Sequence, residues 1–165
     1  MAEVIEVTGV VARLTESAQE IVLRPAVIKH MHRYRQTSWW KREAGGQLFA
    51  RPTDTVLDVV LATGPYRPDY RARFGYRSAP ASAQQEIRKQ REYGLYYCGD
   101  WHTHPQQFPA ASGEDFETIK KLQARSDLRL GAVLMVILGT ALDQRGVAVY
   151  VRTSETTVQW TTSAM

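Results

Sequence analysis

The stretch Leu95-Tyr96-Tyr97-Cys98-Gly99-Asp100-Trp101-His102-Thr103-His104-Pro105 decides how this chain is read. Residues 95–99 read as a strand that runs straight into two histidines separated by one residue. In extended backbone, side chains two apart project from the same face, so both imidazoles can reach one ion at roughly 2.0–2.1 Å. Pro105 cannot continue a strand ladder and commits the chain to a turn. Asp115 follows in the first turn of a predicted helix headed by Ser112, from where its carboxylate can return as a third ligand. Two imidazoles and one carboxylate leave a fourth tetrahedral position open, the arrangement of a catalytic zinc rather than a closed structural one. His30-Met31-His32 repeats the spacing inside a predicted helix, where residues two apart do not face each other, and reads as structural.

Working outward, residues 132–138 are continuously apolar, the pattern of a central strand covered on both faces. Between them and the histidines, Ser112 heads a helix with Glu114, Asp115 and Glu117 in its first turn and Phe116, Ile119 and Leu122 behind. Residues 146–151 and 156–160 read as a closing pair of strands, with the last polar residues expected to fray. Toward the N-terminus, residues 83–93 suit a polar helix, and residues 65–80 read as a long loop rich in Arg, Tyr and Pro. Residues 55–63 are a strand closed by Gly64-Pro65, and Gly45-Gly46 opens another whose start needs close approach or unusual dihedrals. Pro25 suits the first position of a helix of about three turns carrying Val27, Ile28, Met31 and Tyr34. Residues 21–23, and one or two pieces within 3–14, complete the strands. Strands interspersed with about three helices give an α/β or α+β layered domain.

At 165 residues, with 44% hydrophobic and 23% charged side chains, one domain is expected over residues 1–165. A lone cysteine, Cys98, excludes an internal disulfide framework and a thiolate zinc cluster, and points to a reducing cytoplasm. No basic run leads into a hydrophobic one at the start and no window approaches 18 apolar residues, so neither secretion nor membrane spanning is expected. The net charge of +4 is uneven. Residues 24–42 hold six Lys and Arg with no acid, and Arg67, Arg71, Arg73 and Arg77 follow with only Asp69 among them. Such a face can steer an acidic partner, but no nucleic-acid-binding motif accompanies it and the plain reading is a solvated surface.

Two further polar residues have plain readings of their own. Ser112, three residues before an acid at a helix start, is a capping arrangement, although one hydroxyl can cap the helix and still meet a reacting oxygen. An open metal site needs a proton acceptor near its water, but spacing alone does not select Glu43 over Glu86 or Glu92.

Glu43-Ala44-Gly45-Gly46-Gln47-Leu48, then His102-Thr103-His104-Pro105, seven residues, Ser112, two residues and Asp115, together resemble the JAB/MPN metalloprotease family in its small prokaryotic members. The resemblance implies a curved mixed β-sheet flanked by helices, related to the cytidine deaminases. It further implies that His102, His104 and Asp115 bind one Zn²⁺, that Glu43 is general acid and base, and that Ser112 helps hold the oxyanion. The implied activity is hydrolysis of isopeptide or peptide bonds after the C-terminal glycine of a ubiquitin-like protein. Bacterial antiphage members encoded beside ubiquitin-transfer-like enzymes are the nearest in pattern. They imply a ubiquitin-like conjugate, an operon-encoded conjugation enzyme or its nucleotidyltransferase target as partners, with neither nucleic acid nor membrane. Processing of a ubiquitin-like or sulfur-carrier precursor is the alternative, and a non-catalytic basic interaction module a third reading. A tail held extended for cleavage places Arg71 and Arg73 of the long loop at the expected substrate groove.

Overall fold

The computed structural model describes residues 6–126 and 131–165. In chain order it contains β1 (Val10–Arg13), β2 (Glu20–Leu23), α1 (Pro25–His32), β3 (Gly45–Arg51), β4 (Val56–Ala62), β5 (Tyr70–Ala72) and β6 (Gly75–Arg77). These are followed by α2 (Pro80–Glu92), β7 (Tyr96–Thr103), α3 (Gly113–Arg125), β8 (Val133–Leu138), β9 (Val147–Arg152) and β10 (Thr157–Ala164). No helix among the described residues is long and apolar enough to cross a membrane.

Eight strands close on themselves in the order β1-β10-β9-β8-β7-β3-β4-β2, while β5 and β6 form a separate hairpin. The pairs β2/β4 and β7/β8 are parallel and the other six antiparallel. The class is α/β with a mixed sheet, as expected, but the sheet is a closed barrel rather than a merely curved one. Closure comes from β1, which pairs with β2 on one side and with residues 161–164 of β10 on the other. That seam gives each of the eight barrel strands a neighbour on both sides. It also corrects the reading of a fraying terminus, because Ala164 is registered against Val10.

Two apolar clusters explain the sequence pattern. One draws side chains from all eight barrel strands together with Val27, Ile28 and Met31 of α1, and is the inner core. The other joins Ile119 of α3 to Val133, Met135, Ile137, Ala148 and Tyr150 on the outer face. Along β8 the residues alternate between the clusters, Leu134, Val136 and Leu138 inward and Val133, Met135 and Ile137 outward. Both faces are covered, which is why residues 132–138 show no polar alternation. Outside the barrel, α2 lies over β7 and β3, and α3 over β8 and β9.

Other boundaries differ in instructive ways. The first helix has eight residues and ends before Tyr34, and the second begins at Pro80 rather than residue 83. The stretch 65–80 is not an open loop, because it folds back as the β5–β6 hairpin. Asp69 organises it by accepting from Tyr66 N–H, Tyr76 O–H and Ala79 N–H at 2.8, 2.6 and 2.8 Å. Of the predicted strand pieces within 3–14, residues 3–5 lie outside the described residues, residues 6–9 are not strand, and β1 is the one piece found among the rest.

Candidate metal centre

Strand β7 carries His102 on its outer face, and His104 follows directly after its last residue. Its register slips against β3 between Leu48 and Phe49, so that Phe49 faces Tyr97 while Leu48 faces Gly99. After this bulge Trp101 and Thr103 point inward, and His102 stands between Gly45 of β3 and Ile137 of β8. The bulge therefore decides which face receives the imidazoles, and a slip of one residue would bury them in the inner core. The Gly45-Gly46 expectation is met as close approach. A Cβ at Gly45 would lie 2.4 Å from the Trp101 carbonyl oxygen, and one at Gly46 would lie 1.8 Å from that of Thr63.

The third group arrives on α3. Ser112 Oγ accepts from Asp115 N–H at 3.1 Å, and Asp115 Oδ2 accepts from Ser112 N–H at 2.8 Å, a reciprocal capping box. The cap fixes the carboxylate at the end of the helix that faces β7. His102 Nε2 lies 3.1 Å from Asp115 Oδ1, His104 Nε2 lies 3.3 Å from Asp115 Oδ2, and the two Nε2 atoms are 3.2 Å apart. Ligands about 2.0–2.1 Å from a tetrahedral ion are separated by roughly 3.3 Å, which is close to the spacing of the two Nε2 atoms and to that of each imidazole from one of the two Asp115 oxygens. Among the described residues these three form a group able to share one metal ion, and His30 and His32 are not in it. His30 is instead engaged by the Gly64 carbonyl at 2.6 Å, as its structural reading implies.

The electrostatics of the site are those of a cation cradle. Burial pushes the Asp115 carboxyl upward, but hydrogen bonds from His102 and His104 outweigh it and hold the group well below the usual range. Burial lowers the His104 imidazole, and the bond to Asp115 together with the charges of Asp115 and Glu43 reverses this into a raised pKa. Glu43 is 6% exposed, and burial pushes its carboxyl up to about 7, opposed by His104 and reinforced by Asp115 and Glu114. A carboxyl titrating near neutrality beside a ligand set is suited to accept and return protons.

The hairpin anchors Glu43 from its other side. Glu43 N–H donates to the Ala72 carbonyl at 2.7 Å, and Arg71 Nε donates to the Glu43 carbonyl at 2.8 Å. Arg71 thus sits next to the site and braces the main chain of Glu43. Arg73 reaches the carbonyl oxygens of Ser38 and Trp39 and holds the turn before Glu43. Cys98 is buried, donates to the Leu48 carbonyl at 3.4 Å, and has a thiol pKa raised by burial, which makes it an inert core residue. Sequence reasoning missed Thr103 and Gln36, both buried. The signal for Thr103 was its place between two same-face histidines, which commits a polar side chain to the core. Gln36 carried no signal.

Comparison with known proteins agrees with this geometry. Residues 6–161 match the family described as prokaryotic homologs of the JAB domain. A curated relative from Escherichia coli (strain TW11681), named CD-NTase/cGAS isopeptidase, is 30% identical over 101 residues, which covers 59% of this chain and 65% of the relative. A second of the same name, from Enterobacter hormaechei subsp. hoffmannii (strain UCI 50), is 28% identical over 99 residues, covering 59% and 55%. The chain therefore matches less than two thirds of either relative's own length. The solution structure of protein DSY2949 from Desulfitobacterium hafniense aligns with a TM-score of 0.57 at 18% identity over 80% of this chain and 84% of that one, a likeness of fold. A histidine pair at the end of one strand, a capped helix returning a carboxylate to it and a family match over residues 6–161 have one common explanation, that the chain belongs to the prokaryotic homologs of the JAB domain.

Proposed function

We propose that this protein is a zinc-dependent isopeptidase, one domain over residues 1–165, that removes a ubiquitin-like protein from a conjugated target in a bacterial antiphage system. The observation that carries the reading is the His102, His104 and Asp115 cluster, close enough to share one metal ion, beside a Glu43 carboxyl pushed up to about 7. The isopeptidase name that the two relatives carry supports the bond type and makes a nucleotidyltransferase the proposed target. We place the reaction in the cytoplasm.

His102, His104 and Asp115 would hold the Zn²⁺, which when bound supplies Lewis acidity to the scissile carbonyl and acidifies a water. Glu43 takes the proton of the attacking water and returns it to the departing nitrogen, a lysine amine in a conjugate. Because Ser112 Oγ is the acceptor in the helix cap, its own hydrogen remains to meet the carbonyl oxygen as negative charge grows there. Beside this site, Trp39, Trp40 and Phe74 are 76%, 65% and 75% exposed, which suits a protein-sized substrate. Arg71 and Arg73 form the rim of the proposed groove, and they act there largely by fixing its shape through the carbonyls they hold.

The test is cleavage of a lysine-linked conjugate and of a linear fusion of the same ubiquitin-like protein, by zinc-matched wild type and Glu43→Gln. Wild type should release the lysine conjugate, and E43Q should be slower by about 10²–10⁴ at equal zinc content. Faster cleavage of the linear fusion would assign precursor processing instead. Survival of both substrates would return the chain to a non-catalytic module.

A further inference from the structure

Proton transfer through Glu43 requires its carboxylate to be held at one place relative to the histidine pair, and a buried polar bridge ties the main chain on either side of Glu43 to β7. Thr103 is fully buried on the face of β7 opposite His102 and His104. Its hydroxyl accepts from Ala44 N–H at 3.0 Å and donates to Gln36 Oε1 at 3.1 Å. Its own N–H donates to the Ala44 carbonyl at 2.8 Å. Gln36, 3% exposed, donates through Nε2 to the carbonyls of Arg73 at 2.8 Å and Lys41 at 3.3 Å. Both hydrogens of the amide and its oxygen are thereby engaged.

A buried glutamine with satisfied bonds is ordinarily just part of a core. The choice of partners distinguishes this one. Lys41 and Ala44 flank Glu43, Thr103 separates the two histidines, and Arg73 sits in the turn of the hairpin whose β5 holds the Glu43 N–H and carbonyl. None of these contacts lies within α1, the element that precedes Gln36 in the chain. One side chain therefore joins the three segments that must stay in register for the chemistry. Such networks are stiff when complete and costly when broken.

We infer that Gln36, acting through Thr103, is a positioning residue that fixes the Glu43 segment against the ligand strand. This rests on the proposed role of Glu43. A displacement of about 1 Å at a reacting group can reduce rate by about 10²-fold, so a bridge of this kind acts on turnover more than on binding.

The experiment compares Gln36→Met and Thr103→Val, both of similar volume and without the bridging bonds, with wild type at matched zinc and well below their melting temperatures. Turnover of the conjugate should fall about 10-fold or more in each, with KM within about twofold and zinc content unchanged. In the same samples, hydrogen exchange at the Glu43 and Ala44 amides of Q36M should speed up about 10-fold, with the β8 amides unaffected. Wild-type exchange at those two amides, or loss of zinc in parallel with turnover, would overturn the inference. If Q36M does not fold, T103V with wild-type kcat overturns it and T103V with the kcat-only loss supports it. If wild type cleaves no conjugate, the isopeptidase reading fails while exchange in Q36M still decides whether the bridge holds the segment.

Discussion

Asp115 serves two geometries with one carboxylate: Oδ2 closes the cap on Ser112 N–H, while Oδ1 and Oδ2 face the two imidazoles. Capping and metal binding, which compete as readings of the sequence, are compatible for the same side chain in the fold. Their separation is measurable. Ser112→Ala removes the hydroxyl cap and should cost about 0.5–2 kcal/mol of stability while zinc content holds near one per chain. Asp115→Asn keeps an amide oxygen able to accept the cap bond but loses the anionic ligand, so zinc content should fall with a smaller effect on metal-free melting. Metal analysis and chemical denaturation of both variants check this, and an S112A protein that loses its zinc beside a zinc-replete D115N would reverse the assignment. His102, His104 and Asp115 were legible because strand period and helix-start chemistry are local properties. Glu43 was legible only through its motif, because what brings it to the site is a contact with β5, a strand of three residues with no periodicity to detect.

At the scale of elements, α1 shows how a histidine pair outside the candidate metal cluster still has a consequence. Burial lowers the pKa of both His30 and His32, with the Gly64 carbonyl opposing at His30 and the cations of Arg33 and Arg35 adding to the shift at His30 and His32 respectively. Unfolded imidazole titrates near 6.5. As pH falls below that value the unfolded chain binds protons that the folded helix resists, so the contribution of these residues to stability is present above about 6.5 and lost on acidification. Glu43 and Asp100 work in the opposite sense. Burial raises their carboxyls to about 7 and about 6, so each contributes fully at low pH and loses its contribution as pH rises. The histidine effect is therefore read as a difference. Between about pH 7.5 and about pH 5, melting temperature should fall more in wild type than in the His30→Gln/His32→Gln variant at equal metal loading. Equal falls would remove the pair from the account. The hairpin is the element that sequence hid. Residues 65–80 lack a strand pattern because Tyr70–Ala72 and Gly75–Arg77 are held by each other and by Asp69 rather than by an apolar face.

For the whole molecule, the layers could be read from sequence and the closure could not. A continuous apolar run announces a strand covered on both sides, and β8 bears that out. Whether a curved sheet meets itself depends on pairing between short segments far apart in sequence, here Val10–Arg13 with residues 161–164. Truncation after Trp160 tests the seam. It removes the half of β10 that pairs with β1 and should lower unfolding free energy by a few kcal/mol, at about 0.5–1.5 kcal/mol per lost hydrogen bond. Zinc binding should persist, because β7, β8 and α3 lie away from the seam. Unchanged denaturation would return these residues to a frayed tail. The seam also imposes a calendar on synthesis. On the ribosome, His102, His104 and Asp115 emerge before β10 exists, and β1, which can pair with β2 early, waits for its second partner until residue 164 has left the exit tunnel. The nascent chain can thus meet metal while its barrel is still open, and residues 161–164, translated well after Asp115, are the ones that lock β1 in place.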